Sequence, residues 1–86
     1  MTDNDRIKII ARLIKLNEIE IDRLDEEVES KEFWEGRVKE YGRNAISRDL
    51  ETTYGENLAL STANVEYLQE RIKENERLIE VLRAEV

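Results

Sequence analysis

The sequence contains no cysteine, no histidine and no proline. Without cysteine no disulfide stabilises the fold, and without cysteine or histidine we expect no structural zinc site and no cofactor. The same absences remove the side chains that most often form nucleophile–base pairs, so we expect no enzyme. With no proline and three glycines, few positions are expected to interrupt a helix.

Long apolar runs are also missing. No stretch reaches the length of a membrane-spanning helix, and charges recur too often in residues 1–16 for a signal peptide. The absence of cysteine is compatible with the cytosol, so we expect a cytoplasmic protein. A net charge of −7 argues against duplex DNA as a partner, because neutralisation of phosphates dominates that affinity.

The chain has 86 residues, which suits one small domain over residues 1–86. A core this small usually supplies only about 3–5 kcal/mol, and small domains often gain stability from disulfides, metals or oligomerisation. With the first two excluded, we expect a homo-oligomer. Charged residues make up 41% of the chain, but the apolar residues are regularly spaced, which favours long helices over disorder.

A heptad pattern occupies the first third of the chain. Its first column is Ile7, Ile14, Ile21 and Val28, and its second is Ile10, Asn17 and Leu24. A further apolar stripe consists of Ile9, Leu13, Leu16 and Ile19. Because a two-stranded coil would leave that stripe in water, the wide apolar face predicts a bundle of at least three or four helices.

The charges along this helix are unevenly distributed. Residues 6–16 contain four basic residues and no acid, whereas residues 17–29 contain seven acids and one base, Arg23. Such a helix is complementary to a copy of itself running in the opposite direction. The predicted oligomerisation residues are Ile7, Ile10, Leu13, Ile14, Asn17, Ile21 and Leu24.

Local signals divide the chain into predicted helices. Thr2 and Asp5 resemble a capping box, so a helix is expected over about residues 3–29. A second, over about 31–53, is either separate or continuous with the first. Its glycines, Gly36 and Gly42, suggest close packing or a kink. Gly55 suits a helix end, which predicts a turn at 53–57.

A second heptad pattern predicts a helix over about residues 58–85. Its columns are Leu58, Val65, Ile72, Ile79 and Val86, and Ser61, Leu68, Asn75 and Leu82. Asn17 and Asn75 are polar residues at core positions, and such residues commonly specify register and oligomeric state. A partly open seam between the helices is the alternative explanation.

The predicted fold class is all-α: a long helical hairpin or a three-helix chain, assembling into a coiled-coil-like oligomeric bundle. In the three-helix form the helices run up, down and up. In the slightly favoured hairpin, residues 3–53 form one helix and residues 57–85 fold back along its second half. That hairpin leaves Ile7 to Leu24 exposed, so it requires a partner.

Residues 31–54 are the most informative for function. Residues 31–48 carry a net charge of +2, and four of the five aromatic residues lie in 33–54. The candidate ligand- or partner-binding residues are Trp34, Arg37, Tyr41, Arg43, Asn44, Arg48 and Tyr54. Arginines beside aromatic rings suit a protein hot spot or an anionic planar ligand such as a nucleotide, although aromatics at helical spacing also fill cores.

Two further patterns have simpler explanations. Four carboxylates that share one helix face, Asp22, Asp25, Glu26 and Glu29, resemble a hard-cation site. We expect instead a solvated acidic ridge facing the basic half of a neighbouring helix, and no metal. Residues 6–16 alone resemble a membrane-surface helix, but anionic lipid would repel the acidic continuation.

The sequence as a whole predicts a non-enzymatic, homo-oligomeric helical binding protein: an adaptor, an assembly factor or a sequestering inhibitor. Its size and acidity also suit a small inhibitor encoded by a virus or a mobile element. One alternative is an oligomer that binds a nucleotide or another small ligand through residues 31–54. Another is an acidic mimic of nucleic acid that inhibits a nucleic-acid enzyme.

Overall fold

A computed structural model describes the backbone of residues 1–41 and 48–85 and the side chains of residues 1–40 and 53–85. These residues form two helices, α1 (Asp3–Tyr41) and α2 (Arg48–Ala84), with no strand in the described part. The helices pack as a hairpin measuring 62 × 15 × 15 Å. The all-helical class and the hairpin are confirmed, whereas assembly of several copies stays a prediction.

The start of α1 is capped as the sequence predicts. The backbone N–H of Asp5 donates to Oγ1 of Thr2 at 3.2 Å, and the same hydroxyl donates to the Asp5 carboxylate at 2.7 Å. Acidic side chains in this first turn also favour the positive end of the helix dipole. Together these interactions fix where α1 begins.

α1 continues through residues 29–31, as the continuous alternative predicted, but it ends at Tyr41 and not near residue 53. The turn predicted at residues 53–57 is wrong, because these residues lie inside α2. Gly55 lies inside α2 and nothing stands within 4 Å of where its Cβ would be. The cost of a helical glycine, about 1 kcal/mol, is offset by packing of neighbours such as Tyr54 and Leu58, which are half-buried.

The close packing expected at Gly36 is also absent, since an added Cβ there meets nothing within 4 Å. Gly42 lies outside the described residues. Gly36 and Gly55 are therefore helical positions with open space around them and no left-handed backbone.

The double substitution Gly36→Ala with Gly55→Ala should stabilise the hairpin. Alanine is favoured over glycine in a helix by about 0.5–1 kcal/mol per site, so we expect a gain of about 1–2 kcal/mol. Thermal unfolding followed by circular dichroism measures it. An unchanged or lower Tm would show that one of the glycines is needed for a backbone conformation or contact other than a regular helix.

The heptad predicted for α2 is confirmed as its packing face. Of its members, Ser61, Val65, Leu68, Asn75 and Ile79 are buried. The remaining described members, Leu58, Ile72 and Leu82, are half-buried. The contact surface between the two helices is the seam. On its α2 side the seam therefore follows the apolar heptad of the α2 sequence.

α1 packs in a different register from the one its isoleucines suggest. Residues that are buried or half-buried recur in two columns seven residues apart: Ile10, Asn17, Leu24, Lys31 and Val38, and Arg6, Leu13, Glu20, Glu27 and Trp34. Only the first of these includes a predicted column. The other predicted column lies on the flank of the seam and is named here the aliphatic ridge: Ile7, Ile14, Ile21 and Val28.

The favoured topology is wrong in where the chain folds back. Because α1 ends at Tyr41, α2 lies along all of α1, and Arg6 donates through Nη1 to the backbone oxygen of Glu85 at 3.0 Å. The three-helix form is not found either. Four of the predicted oligomerisation residues lie in the hairpin's own seam: Ile10, Leu13, Asn17 and Leu24. The other three, Ile7, Ile14 and Ile21, belong to the aliphatic ridge.

Candidate functional site: three surfaces of the hairpin

A polar layer crosses the seam and consists of Asn17, Glu20, Arg71 and Asn75. Asn75 donates through Nδ2 to Oδ1 of Asn17 and to Oε1 of Glu20, each at 3.3 Å. Arg71 donates to both carboxylate oxygens of Glu20, from Nε at 3.3 Å and from Nη2 at 3.1 Å. The two asparagines predicted to set register thus meet each other within one chain.

Glu20 is one residue that sequence reasoning missed. It is only 5% exposed, although Arg71, its partner, is half-buried. The hydrogen bond from Arg71 lowers the pKa of Glu20; burial raises it, and the Asn75 hydrogen bond and nearby positive charge lower it further, so the pKa lies below its usual value. A charged Glu20 therefore stabilises the hairpin, and its partners define one alignment of the helices.

The stability contributed by Glu20 should depend on pH. Because its pKa is lower in the folded chain, this contribution is present at neutral pH and is lost as pH falls below the usual glutamate range through the folded pKa. We expect Glu20→Gln to cost about 1–2 kcal/mol at pH 7 and progressively less at each lower pH below the usual glutamate range. Urea unfolding of both proteins at each pH measures this; a pH-independent difference would contradict the role of the charge.

Two smaller polar contacts extend the alignment toward the middle of α2. The hydroxyls of Ser30 and Ser61 lie 3.2 Å apart, and Asn64 donates through Nδ2 to Glu27 at 3.4 Å. Both contacts join positions whose residue numbers sum to 91, as Glu20 and Arg71 do. The helices therefore keep one constant antiparallel offset from the polar layer to these contacts.

The first candidate surface is the aromatic cluster of Phe33, Trp34, Arg37 and Tyr54. The Trp34 ring lies 4.9 Å from Phe33, edge to face, and 5.8 Å from Tyr54. The Arg37 guanidinium lies over the Phe33 ring at 5.1 Å. Trp34 and Tyr54 are half-buried between the helices, whereas Phe33 is 52% exposed. The cluster thus has both a packing side and a surface side.

The structure brings together three of the predicted site residues, Trp34, Arg37 and Tyr54, with a residue that was not among them, Phe33, which contacts Trp34 and Arg37. Its position next to Trp34 and four residues before Arg37 is the signal that points to it. The remaining predicted residues lie outside the described side chains: Tyr41, Arg43, Asn44 and Arg48.

The second candidate surface is the aliphatic ridge. Ile7 is 60% exposed and Ile21 is 40% exposed, while Ile14 and Val28 are half-buried. At 1.5 Å per residue, the ridge is about 30 Å long. A continuous row of four branched aliphatic side chains at the surface of a small protein is typical of an interaction site.

The third candidate surface is the acidic middle of the rod. Residues 17–30 carry a net charge of −6, and the facing segment of α2, residues 61–74, adds −1. This equals the net charge of the whole chain. The segment of α2 that faces the acidic middle is therefore not basic, and the expectation that the acidic ridge faces the basic half of a neighbour stays a prediction.

The described residues contain no group of three or more acidic side chains placed to hold a metal ion, and neither helix is long and apolar enough to cross a membrane. One concave surface in the described part is an open groove on α2 lined by charged residues: Glu70, Lys73, Glu74, Glu76, Arg77 and Glu80. It lies away from the aromatic cluster. Comparisons with protein-family models, curated proteins and solved structures give no significant match to this chain.

Proposed function

We propose that the chain is a non-enzymatic, homo-oligomeric helical binding protein that works as an adaptor, an assembly factor or a sequestering inhibitor. The observation that carries the proposal is the aliphatic ridge, which α2 covers only in part although it lies along all of α1. Full burial of an exposed aliphatic side chain is worth about 1.5–3 kcal/mol, and the part of each ridge residue that is still exposed contributes its share, which favours association of copies through the ridge.

The aromatic cluster is the proposed contact for a different protein. Tryptophan, tyrosine and arginine are enriched among the residues that dominate binding energy, and Trp34, Arg37 and Tyr54 are held in one place by ring contacts. Phe33 extends this cluster to the surface with about half of its side chain exposed. Pre-ordered rings lose little entropy on binding, which supports a role in recognition.

The partner-binding role is tested with the protein's single tryptophan as the reporter. A partner recovered with the tagged chain should change Trp34 fluorescence when the two purified proteins are mixed. We expect Phe33→Ala to weaken that complex by at least tenfold, about 1.4 kcal/mol, as a moderate hot spot would. Leu60→Ala, which removes an equally exposed apolar residue, is the control; equal loss in both variants would contradict the assignment.

The acidic middle supports a second candidate, a mimic of nucleic acid that occupies the basic channel of a nucleic-acid enzyme. Asp25 and Glu29 are both exposed there. This function predicts salt-sensitive binding that is abolished by Asp25→Lys with Glu29→Lys but is unaffected by Phe33→Ala. The reverse pattern of sensitivities supports the adaptor.

Binding of a nucleotide or similar ligand is a third candidate, and the grooves on α2 that contain Glu70 and Lys73 do not include the aromatic cluster. A thermal-shift panel of nucleotides distinguishes this function. A stabilisation that Arg37→Ala removes would favour ligand binding over the adaptor.

A further inference from the structure

We propose that α1 pairs with α1 of a second copy, running antiparallel across the aliphatic ridge about a two-fold axis between residues 17 and 18. Two hairpins then lie side by side as a four-helix bundle. This inference rests on the proposed function, because it names the partner and the geometry for the same ridge.

The ridge is compatible with this axis. In the antiparallel pair, Ile7 lies opposite Val28 of the second copy and Ile14 lies opposite its Ile21. All four positions are therefore filled by branched aliphatic side chains in both copies. A parallel pair would also match these residues, so the direction must come from the charges beside the ridge.

A column of exposed charges lies beyond the ridge on the side away from α2, and Ala11, Glu18 and Asp25 lie between the two columns. It contains two bases followed by two acids: Lys8, Lys15, Asp22 and Glu29. Within the described part of the chain, none of the four forms an ion pair. Antiparallel pairing places Lys8 near Glu29 of the second copy and Lys15 near its Asp22. Parallel pairing would place like charges together, which is unfavourable.

The α2 residues beside the ridge are compatible with this axis. In the hairpin, residues of α1 and α2 that face each other have numbers that sum to 91, as Glu20 and Arg71 do. An axis between residues 17 and 18 of α1 therefore passes between residues 73 and 74 of α2. The α2 column beside the ridge is Thr62, Gln69, Glu76 and Arg83. This column is centred between residues 72 and 73, one residue from that axis, so Arg83 lies nearest Thr62 of the second copy and Glu76 lies nearest its Gln69. No like charges meet in this column, and each charged side chain lies near a polar group.

The geometry has a functional consequence. Trp34 is about 16 residues from the axis, or about 25 Å along the helix. The two aromatic clusters of the dimer therefore lie about 50 Å apart at opposite ends of the bundle. A protein with two identical binding sites facing opposite ends can link two copies of its target, as an adaptor requires.

A charge exchange tests the direction of pairing. Lys8→Glu with Lys15→Glu puts four acids in the column and should weaken the dimer at least about tenfold. Adding Asp22→Lys and Glu29→Lys reverses the column and should restore self-pairing. Differently tagged wild-type and reversed chains should then sort into homodimers. Preferential mixed dimers would show parallel pairing and overturn the proposal.

Cysteine crosslinking tests the axis itself, because the chain has no cysteine of its own. Glu18→Cys should form a disulfide with its copy under mild oxidation. Ala11→Cys and Asp25→Cys should crosslink poorly alone but readily when the two variants are mixed. Efficient self-crosslinking of all three would overturn the antiparallel axis. An oligomer in which none crosslinks would overturn the ridge pairing but leave the proposed function, whereas a monomer would overturn both.

Discussion

Leu68→Ala should unfold most of the hairpin at room temperature. Leu68 is 3% exposed, and deletion of a buried leucine side chain costs about 2–5 kcal/mol. A core of this size supplies about 3–5 kcal/mol in total, so the loss is comparable to the whole stability. Circular dichroism at 222 nm, followed against temperature and urea, measures the lost helix.

Leu60→Ala is the matched control, on the same helix and with the same change of side chain. Leu60 is 63% exposed, so we expect a change within about 0.5 kcal/mol. Equal destabilisation by the two substitutions would mean that the seam does not run along the heptad of α2. It would therefore contradict the described packing of the helices.

Ile7→Asp with Ile21→Asp should convert the oligomer into monomers while leaving the hairpin folded. The two side chains are 60% and 40% exposed, so they contribute little to the seam. A two-fold interface would receive four aspartates and lose four buried aliphatic side chains. At about 1.5 kcal/mol or more for each, the dimer Kd should rise by about four orders of magnitude. Sedimentation velocity over a range of concentrations measures this, with helicity as a check on folding.

The control for this prediction lies on α2. Leu60→Asp with Val81→Asp introduces the same charges at residues that are 63% and 43% exposed. These positions lie away from the ridge, so the control should associate like the wild-type chain. If it dissociates equally, added negative charge rather than the ridge explains the effect, and the proposed interface is wrong.

The sequence predicts α2 better than α1 for a physical reason. In α2 the apolar heptad and the seam coincide, so periodicity alone locates Val65, Leu68 and Ile79 in the core. In α1 the most regular apolar column, the aliphatic ridge, lies on the flank of the seam, because the helices pack in the register in which Glu20 contacts Arg71. That partner is 51 residues away, and hydrophobic periodicity does not reveal such a pair.

The residues at which the helices end were harder to predict than the helices themselves. Gly55 favours a break locally, but packing of its neighbours keeps it helical, which is tertiary context overriding propensity. At the candidate site, aromatic composition located Trp34 and Tyr54 and the structure shows them in contact. Phe33 was not predicted as a site residue, because the sequence does not show which of the adjacent residues Phe33 and Trp34 faces the seam. In the structure Trp34 is half-buried there and Phe33 is exposed.

The molar mass of the native protein in solution tests the central claim most directly. Light scattering across micromolar concentrations should give about 20 kDa, twice the 10.2 kDa of one chain, with dissociation only on dilution. A cooperatively melting species of 10.2 kDa at every concentration would contradict the account. It would show that the exposed isoleucines of α1 need no second copy to cover them.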